Sequence, residues 1–419
     1  MKQLESLLNK INFKLKNAPL IYFSREVERS LGLEKILDNF QIACVEDHYI
    51  VEELEKTHKT FCAEREKLNF SSKSTLDLIN NSKTQEWIKS NDNFYAQFFQ
   101  LNSPIVSRIA QINGMVLNNI PELNRKFEGK INQYKILKEN SISVPDGFII
   151  DSSQISYSDI MRKLKQVFVV QLDFAHTGSG TFIIENQDKW NEFIKGYNGN
   201  IVKITKYIPG ETYTINACIA NQRVFISGLQ YQITGYSELT SGKGSTVGND
   251  WSFGFKNLSN ITRNRIFEST AKIGEIMAKE KFRGMFGIDL VVRGEEIYVI
   301  EINARQTANI PMQTKLELNS EIIPLSLIHL AEFLNIQIES EPSKEIIPLE
   351  GSQVFLRALS DGCKINSEIK PGVYRLQGDN SAVEWSFSES DKKPEQKKDI
   401  IIIDEESDKI LVWQSVFFH

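Results

Sequence analysis

The chain has 419 residues, too many for one ordinary core, and a composition of 41% hydrophobic and 25% charged residues excludes a disordered polypeptide. A formal net charge of −5 lacks the basic excess of a protein that wraps nucleic acid, so nucleic acid is not an expected partner. No apolar run approaches the ~20 residues that span a bilayer, and the polar opening Met1-Lys-Gln-Leu-Glu has no signal-peptide core; a cytoplasmic protein without a membrane partner is expected.

Cys44, Cys62, Cys218 and Cys363 are spread along the chain without the paired spacing of a zinc site or a redox dithiol, so reduced structural thiols are expected. The five histidines are equally scattered, and only His176 lies in a loop of interest.

Residues 1–125 read as an α/β unit. Its first strand is Leu20-Ile-Tyr-Phe, its second Ile42-Ala-Cys-Val45, and a charged stretch from Val51 to Leu68 has helical spacing. Phe23-Ser-Arg-Glu follows the first strand where a dinucleotide fingerprint needs glycines, so no dinucleotide is expected there. A helix from Lys130 to Asn140 comes next. Strands at Phe148–Ile150 and Val167–Leu172, the loop His176-Thr-Gly-Ser-Gly-Thr181, and a helix near Trp190–Ile194 follow. Three strands then form a meander from Ile201 to Ser227. A glycine-rich excursion, Ser241 to Asp250, precedes a helix over about 262–279, and Pro324–Leu334 reads as a closing helix. Beyond about residue 345, short strands parted by a charged loop suggest a small C-terminal β unit.

Chemistry concentrates in Gly287-Ile-Asp289-Leu-Val-Val and Ile297-Tyr-Val-Ile-Glu301-Ile-Asn303, two alternating strands joined by Arg293-Gly-Glu-Glu296. Residues two apart in a strand share a face, which groups Glu301, Asn303 and Arg305 opposite Tyr298, Ile300, Ile302 and Ala304. Hairpin register can set Asp289 beside Glu301. Like charges that close repel unless a cation lies between them, and a sparse all-oxygen set is what Mg²⁺ takes when phosphates supply the remaining ligands.

Gly-Ile-Asp followed by Tyr-Val-Ile-Glu-Ile-Asn-Ala-Arg resembles the metal-binding end of the ATP-grasp superfamily. The resemblance implies an α/β (α+β) ATP-grasp fold with an N-terminal α/β (pre-ATP-grasp) domain at 1–125. A small subdomain with a glycine-rich lid would occupy 126–200, a large subdomain with the Mg-ATP site 201–340, and a β-rich cap 341–419. It further implies that Asp289, Glu301 and Asn303 bind one or two Mg²⁺, with Mn²⁺ able to stand in, and that Lys130 meets the ATP phosphates. His176, Gly178, Ser179 and Gly180 fit the lid, where backbone N–H groups reach phosphate oxygens. Thr205, Lys206, Tyr207 and Ile208 fit the adenine hinge, and Glu211 stands one residue before the position of the family's ribose-binding glutamate, occupied by Thr212. Arg305, with Gln306, would steady a substrate carboxylate or its acyl phosphate, as a planar bidentate donor should. Lys243, in the glycine-rich excursion, is a second candidate for that carboxylate.

The chain departs from the family pattern in three places. Gln171 stands where a second phosphate-binding lysine is usual, so the missing charge has to come from elsewhere, with Lys203 and Lys243 as candidates. Thr205 replaces a common acidic residue at the hinge, and Thr212 replaces the ribose-binding glutamate.

The resemblance implies a ligase that joins a small-molecule carboxylate to an amine, such as an amino acid or peptide, through an acyl phosphate. It is compatible with a homodimer. Two alternatives stay open: a nucleotide-binding module without ligase activity, and a carboxylase-type enzyme of the same superfamily.

Overall fold

The computed structural model describes residues 2–70, 72–174, 180–236, 240, 246–357 and the strands at 372–377, 384–388, 399–403 and 409–413. The lid candidates His176, Gly178 and Ser179 and the substrate candidate Lys243 lie outside the described residues.

The N-terminal unit is a parallel sheet of β1 (Leu20–Ser24), β2 (Phe40–Cys44), β3 (Lys59–Cys62), β4 (Phe94–Phe98) and β5 (Gly114–Val116), in the order β3-β2-β1-β4-β5. Strand order reverses between β1 and β4, where doubly wound sheets open a crevice beyond the strand ends. β1 and β2 are buried along their whole length, as expected of parallel strands covered on both faces. The expected helix over Val51–Leu68 is shorter: it spans Tyr49–Glu55, and β3 occupies part of the remainder. Thr60, Phe61 and Cys62 suit a strand, and pairing with β2 overrides the helical spacing. That pairing sets Cys44 directly opposite Cys62, both as buried free thiols.

A four-stranded sheet follows, with β6 (Gly147–Asp151), β7 (Phe168–Leu172), β8 (Thr181–Ile184) and β9 (Ile201–Lys206) in the order β6-β9-β7-β8. Its core includes Phe168, Trp190, Phe193 and Ile204. The helix Lys130–Glu139 starts at Gly129 without a side-chain cap of its own. Its orphan N–H groups are taken by Asp173 at the end of β7. Lys130 N donates to the Asp173 carbonyl at 3.0 Å and Ile131 N to Asp173 Oδ1 at 3.0 Å.

The third sheet contains β10 (Glu211–Ala220), β11 (Arg223–Thr234), β12 (Thr246–Asp250), β13 (Gly284–Arg293) and β14 (Glu296–Asn303), then β15 (Ser352–Arg357), β16 (Gly372–Gln377), β17 (Glu384–Ser388), β18 (Asp399–Ile403) and β19 (Lys409–Trp413). The order is β14-β13-β10-β11-β12-β15-β19-β18-β16-β17, so the C-terminal strands continue the large sheet through the β12–β15 pair. Residues 246–250, read from sequence as part of a glycine-rich loop, are a strand because both of their edges find partners. One face of the large sheet packs on the helix Asn260–Lys279. Near the ends of β10, β11 and β13, Cys218, Phe225 and Met285 share a core with the N-terminal unit and the helix Leu325–Phe333. No described helix is long and apolar enough to cross a membrane.

Candidate active site

The hairpin β13–β14 sets Asp289 opposite Glu301 and Gly287 opposite Asn303. Its register shifts between Asp289 and Leu290, whose partners are Glu301 and Val299, leaving Ile300 as an extra residue. This bulge corrects the simple alternation read from sequence. Ile297 and Val299 join Ile302 and Ala304 in the core, which brings Tyr298 to the side of Glu301 and Asn303.

Asp289 is the centre of a hydrogen-bonded set drawn from three strands. Its Oδ1 accepts from Thr214 Oγ1 at 2.5 Å and Gln232 Nε2 at 2.8 Å, and its Oδ2 accepts from Asn303 Nδ2 at 3.0 Å. Burial, with the Glu301 charge across the hairpin, pushes the Asp289 carboxyl up to about 6, against the opposing effects of Thr214, Asn303 and Arg305. A carboxylate held there against its own desolvation and a like charge suits a cation-binding site. Two carboxylates and an amide form a hard-oxygen donor set that fits Mg²⁺.

Lys130 is buried, and its Nζ lies 2.8 Å from Glu301 Oε1. The helix that carries it is tied to the same strand by Gln133, whose Oε1 accepts from Ile302 N at 2.6 Å. Lys203 approaches from β9. Its Nζ lies 3.4 Å from the carbonyl of the bulged Ile300 and 5.6 Å from the centre of the Tyr134 ring. Burial lowers the Lys203 ammonium to about 8, with Glu301 opposing the shift and Lys130 adding to it. Gln171, in register with Lys203, gives its Nε2 to Thr181 Oγ1 at 3.2 Å. Gly180, the described lid candidate, accepts from Leu172 N at 2.9 Å through its carbonyl.

In the segment expected to form the hinge, Thr205 is buried between Gly147 and Val169 on the flanking strands. Lys206 Nζ pairs with Asp146 at 3.0 Å, Tyr207 N donates to Val167 O at 3.0 Å, and Ile208 is half-buried past the strand end. Glu211 Oε2 already accepts from Tyr213 Oη at 2.6 Å and Asn257 Nδ2 at 2.7 Å.

Arg305 leads from the carboxylate face into a loop that meets the N-terminal unit. Its Nη2 donates to Asn303 Oδ1 and its Nη1 to the Gln306 carbonyl, both at 3.2 Å, while Glu128 Oε1 lies 3.0 Å from its Nε. The guanidinium carbon is 5.2 Å from the centre of the Phe99 ring, and that of Arg29 is 4.8 Å from the same ring. Arg29 follows β1 and Phe99 follows β4, so both lie beyond the strand ends at the reversal point of the N-terminal sheet. Gln306, read from sequence as a substrate residue, spends its side chain on that sheet: Tyr22 Oη donates to its Oε1 at 3.1 Å, and its Nε2 donates to Arg29 O at 3.3 Å.

Sequence reading passed over Arg29, Phe99 and Tyr22 because nothing local marks them. It also passed over Thr214 and Gln232, which lie on strands remote from the hairpin in sequence, and Glu128. The one usable signal was the position of Arg29 and Phe99 just after the parallel strands β1 and β4.

A family model of the ATP-grasp domain matches residues 127–309, the segment that holds every one of these groups except the N-terminal contacts. Residues 127–309 therefore carry an ATP-grasp domain. The carbamoyl phosphate synthase large chain of Thermoanaerobacter sp. (strain X514) is 25% identical over 185 residues, which cover 43% of this chain and 16% of that protein. The chain therefore matches about a sixth of the length of this relative. Among solved structures, the biotin carboxylase–β-γ-ATP complex from Campylobacter jejuni superposes with a TM-score of 0.61 at 15% identity, over 94% of this chain and 87% of that one. N5-carboxyaminoimidazole synthase from Aspergillus clavatus, in complex with ADP and its ribonucleotide, gives a TM-score of 0.57 at 10% identity, over 96% and 94%. The fold shared with these structures thus extends beyond the matched domain to most of the chain.

Proposed function

We propose that this ATP-grasp protein is an ATP-dependent ligase that activates a small-molecule carboxylate as its acyl phosphate and passes the acyl group to an amine, releasing ADP and phosphate. The observation that carries the reading is the continuous polar face from Lys130 and Glu301 through Asp289 and Asn303 to Arg305, which joins a cation-binding set to a guanidinium at the edge of the cleft beside the N-terminal sheet.

Asp289, Glu301 and Asn303 would hold Mg²⁺, which when bound offsets negative charge on the nucleotide phosphates. Lys130 places a second positive charge at Glu301 and is kept there by the Asp173 cap on its helix. The substrate carboxylate oxygen attacks the γ-phosphorus and the bond to the β-phosphate oxygen breaks, giving ADP and an acyl phosphate. The amine then attacks the carbonyl carbon, phosphate departs, and the amine nitrogen loses a proton. No protein nucleophile is needed. Arg305 is suited to the carboxylate as a planar donor at the cleft edge, where an incoming carboxylate would compete with Glu128, whose Oε1 lies 3.0 Å from Arg305 Nε.

The deciding experiment incubates the protein with ATP and Mg²⁺ and measures phosphate release on adding amino acids, dipeptides or bicarbonate in separate arms, with mass spectrometry for new amides. Amide formation with ADP release supports the ligase. Phosphate release with bicarbonate alone would move the assignment to a carboxylase, and nucleotide binding without turnover in any arm would reduce it to a binding module.

A further inference from the structure

We propose that Lys203 supplies, from β9, the phosphate-binding positive charge that Gln171 cannot supply from β7. The inference rests on the nucleotide use set out above and assigns a specific residue to it.

β7 and β9 are antiparallel neighbours, and Gln171 and Lys203 are direct register partners. Side chains so opposed project from the same face of the sheet, about 5 Å apart at Cβ. A lysine at either position therefore reaches the same region, so exchanging the two residues moves the charge by one strand spacing and leaves its direction unchanged.

The surroundings of Lys203 argue against a merely structural cation. Its side chain is buried, where an apolar residue of similar length would fill the space without the desolvation cost of an ammonium. The carboxylate acting on it is Glu301, which is already paired with Lys130 at 2.8 Å. Two ammonium groups thus converge on one carboxylate, and Lys130 repels Lys203. A polyanion entering beside them relieves that repulsion, and a nucleotide diphosphate or triphosphate has the required charge.

The Ile300 bulge explains how Lys203 is held in place. An extra residue drops out of the β13–β14 ladder, and its carbonyl is within 3.4 Å of Lys203 Nζ. The Tyr134 ring, 5.6 Å away, gives the ammonium an aromatic neighbour as well.

Isothermal titration with MgADP, MgATP and adenosine tests the assignment on four proteins: the wild type, Lys203→Met, Lys203→Gln, and the exchange variant carrying Gln171→Lys with Lys203→Gln. Thermal melting without nucleotide checks each fold, and Lys203→Gln keeps a donor for the Ile300 carbonyl in case Lys203→Met does not fold. The expected result is a loss of MgADP affinity of at least about tenfold in the single variants, with adenosine affinity unchanged, and recovery to within about threefold of wild type in the exchange variant. Wild-type affinity in a folded single variant overturns the assignment, and so does an exchange variant that melts normally but binds as weakly as Lys203→Gln. A wild-type protein that binds neither MgADP nor MgATP overturns nucleotide use itself.

Discussion

Asp289 is a carboxylate whose surroundings oppose its own charge. Burial and Glu301 raise it to about 6, while Thr214, Gln232 and Asn303 satisfy its oxygens. Asp289→Asn and Glu301→Gln should each lower turnover at least about a hundredfold, since each removes charge from the proposed cation-binding set. Circular dichroism should show a folded protein in both cases; full turnover in either variant would remove that residue from the site. Because the carboxyl of the metal-free protein is neutral below about 6, the affinity of the wild type for Mg²⁺ should fall as pH drops through that value. Arg305→Ala should leave MgADP affinity nearly unchanged and raise the carboxylate KM by about tenfold or more, with partial recovery in Arg305→Lys. Equal kinetics in wild type and Arg305→Ala would make the residue a tether to Glu128 only.

At the level of elements, the loop after β14 is positioned from below by β10 and β13. Thr307 Oγ1 is 2.8 Å from Asn216 Oδ1 and 2.6 Å from Asn309 Oδ1, and Asn216 Nδ2 donates to Gln313 Oε1 at 2.6 Å. Gly287 leaves room for that arrangement: a Cβ there would lie 2.4 Å from Thr307 Cγ2 and 2.8 Å from Asn216 Oδ1. Gly287→Ala should therefore displace the loop rather than the nucleotide. The expected outcome is a fall in kcat/KM of about tenfold or more for the carboxylate, with MgADP affinity held within about twofold. An equal loss in both would mean that the hairpin itself had moved.

At the scale of the whole molecule, His329 pins the N-terminal unit to the ATP-grasp domain. Its Nε2 donates to Leu117 O at 2.9 Å, and its Nδ1 accepts from Met285 N at 3.1 Å, so the neutral ring uses both nitrogens. Burial lowers its pKa from 6.5 to about 4. The unfolded chain then binds a proton that the folded protein refuses between those values. The stability His329 contributes is present above pH 6.5 and is lost as pH falls toward 4, by about 3 kcal/mol at most. His329→Gln, which offers one donor and one acceptor without titrating, should flatten that part of the stability curve measured by urea unfolding. The raised carboxyls of Asp289, about 6, and Glu317, about 7, act in the opposite direction over the same range, so the difference between the variant and wild type is the informative quantity. An unchanged slope would place the acid sensitivity elsewhere.

The chain by itself determined the local pieces. Alternation around Asp289 and Glu301, the helix opening at Lys130 and the run Thr205 to Ile208 were legible because strand and helix periodicities operate over a few residues. Their family pattern was legible for the same reason. Tertiary structure decided the rest. The Ile300 bulge depends on how two strands pair, and it reversed the face assigned to Tyr298. The partners of Asp289 come from β10 and β11, and those of Gln306 from the N-terminal sheet, across separations that no local pattern encodes. Lys203 is the clearest instance. Gln171 marked a missing charge in the sequence and left Lys203 and Lys243 as candidates, but only the pairing of β7 with β9 set Lys203 directly across from it, because strand pairing joins residues by hydrogen-bond register and not by order along the chain.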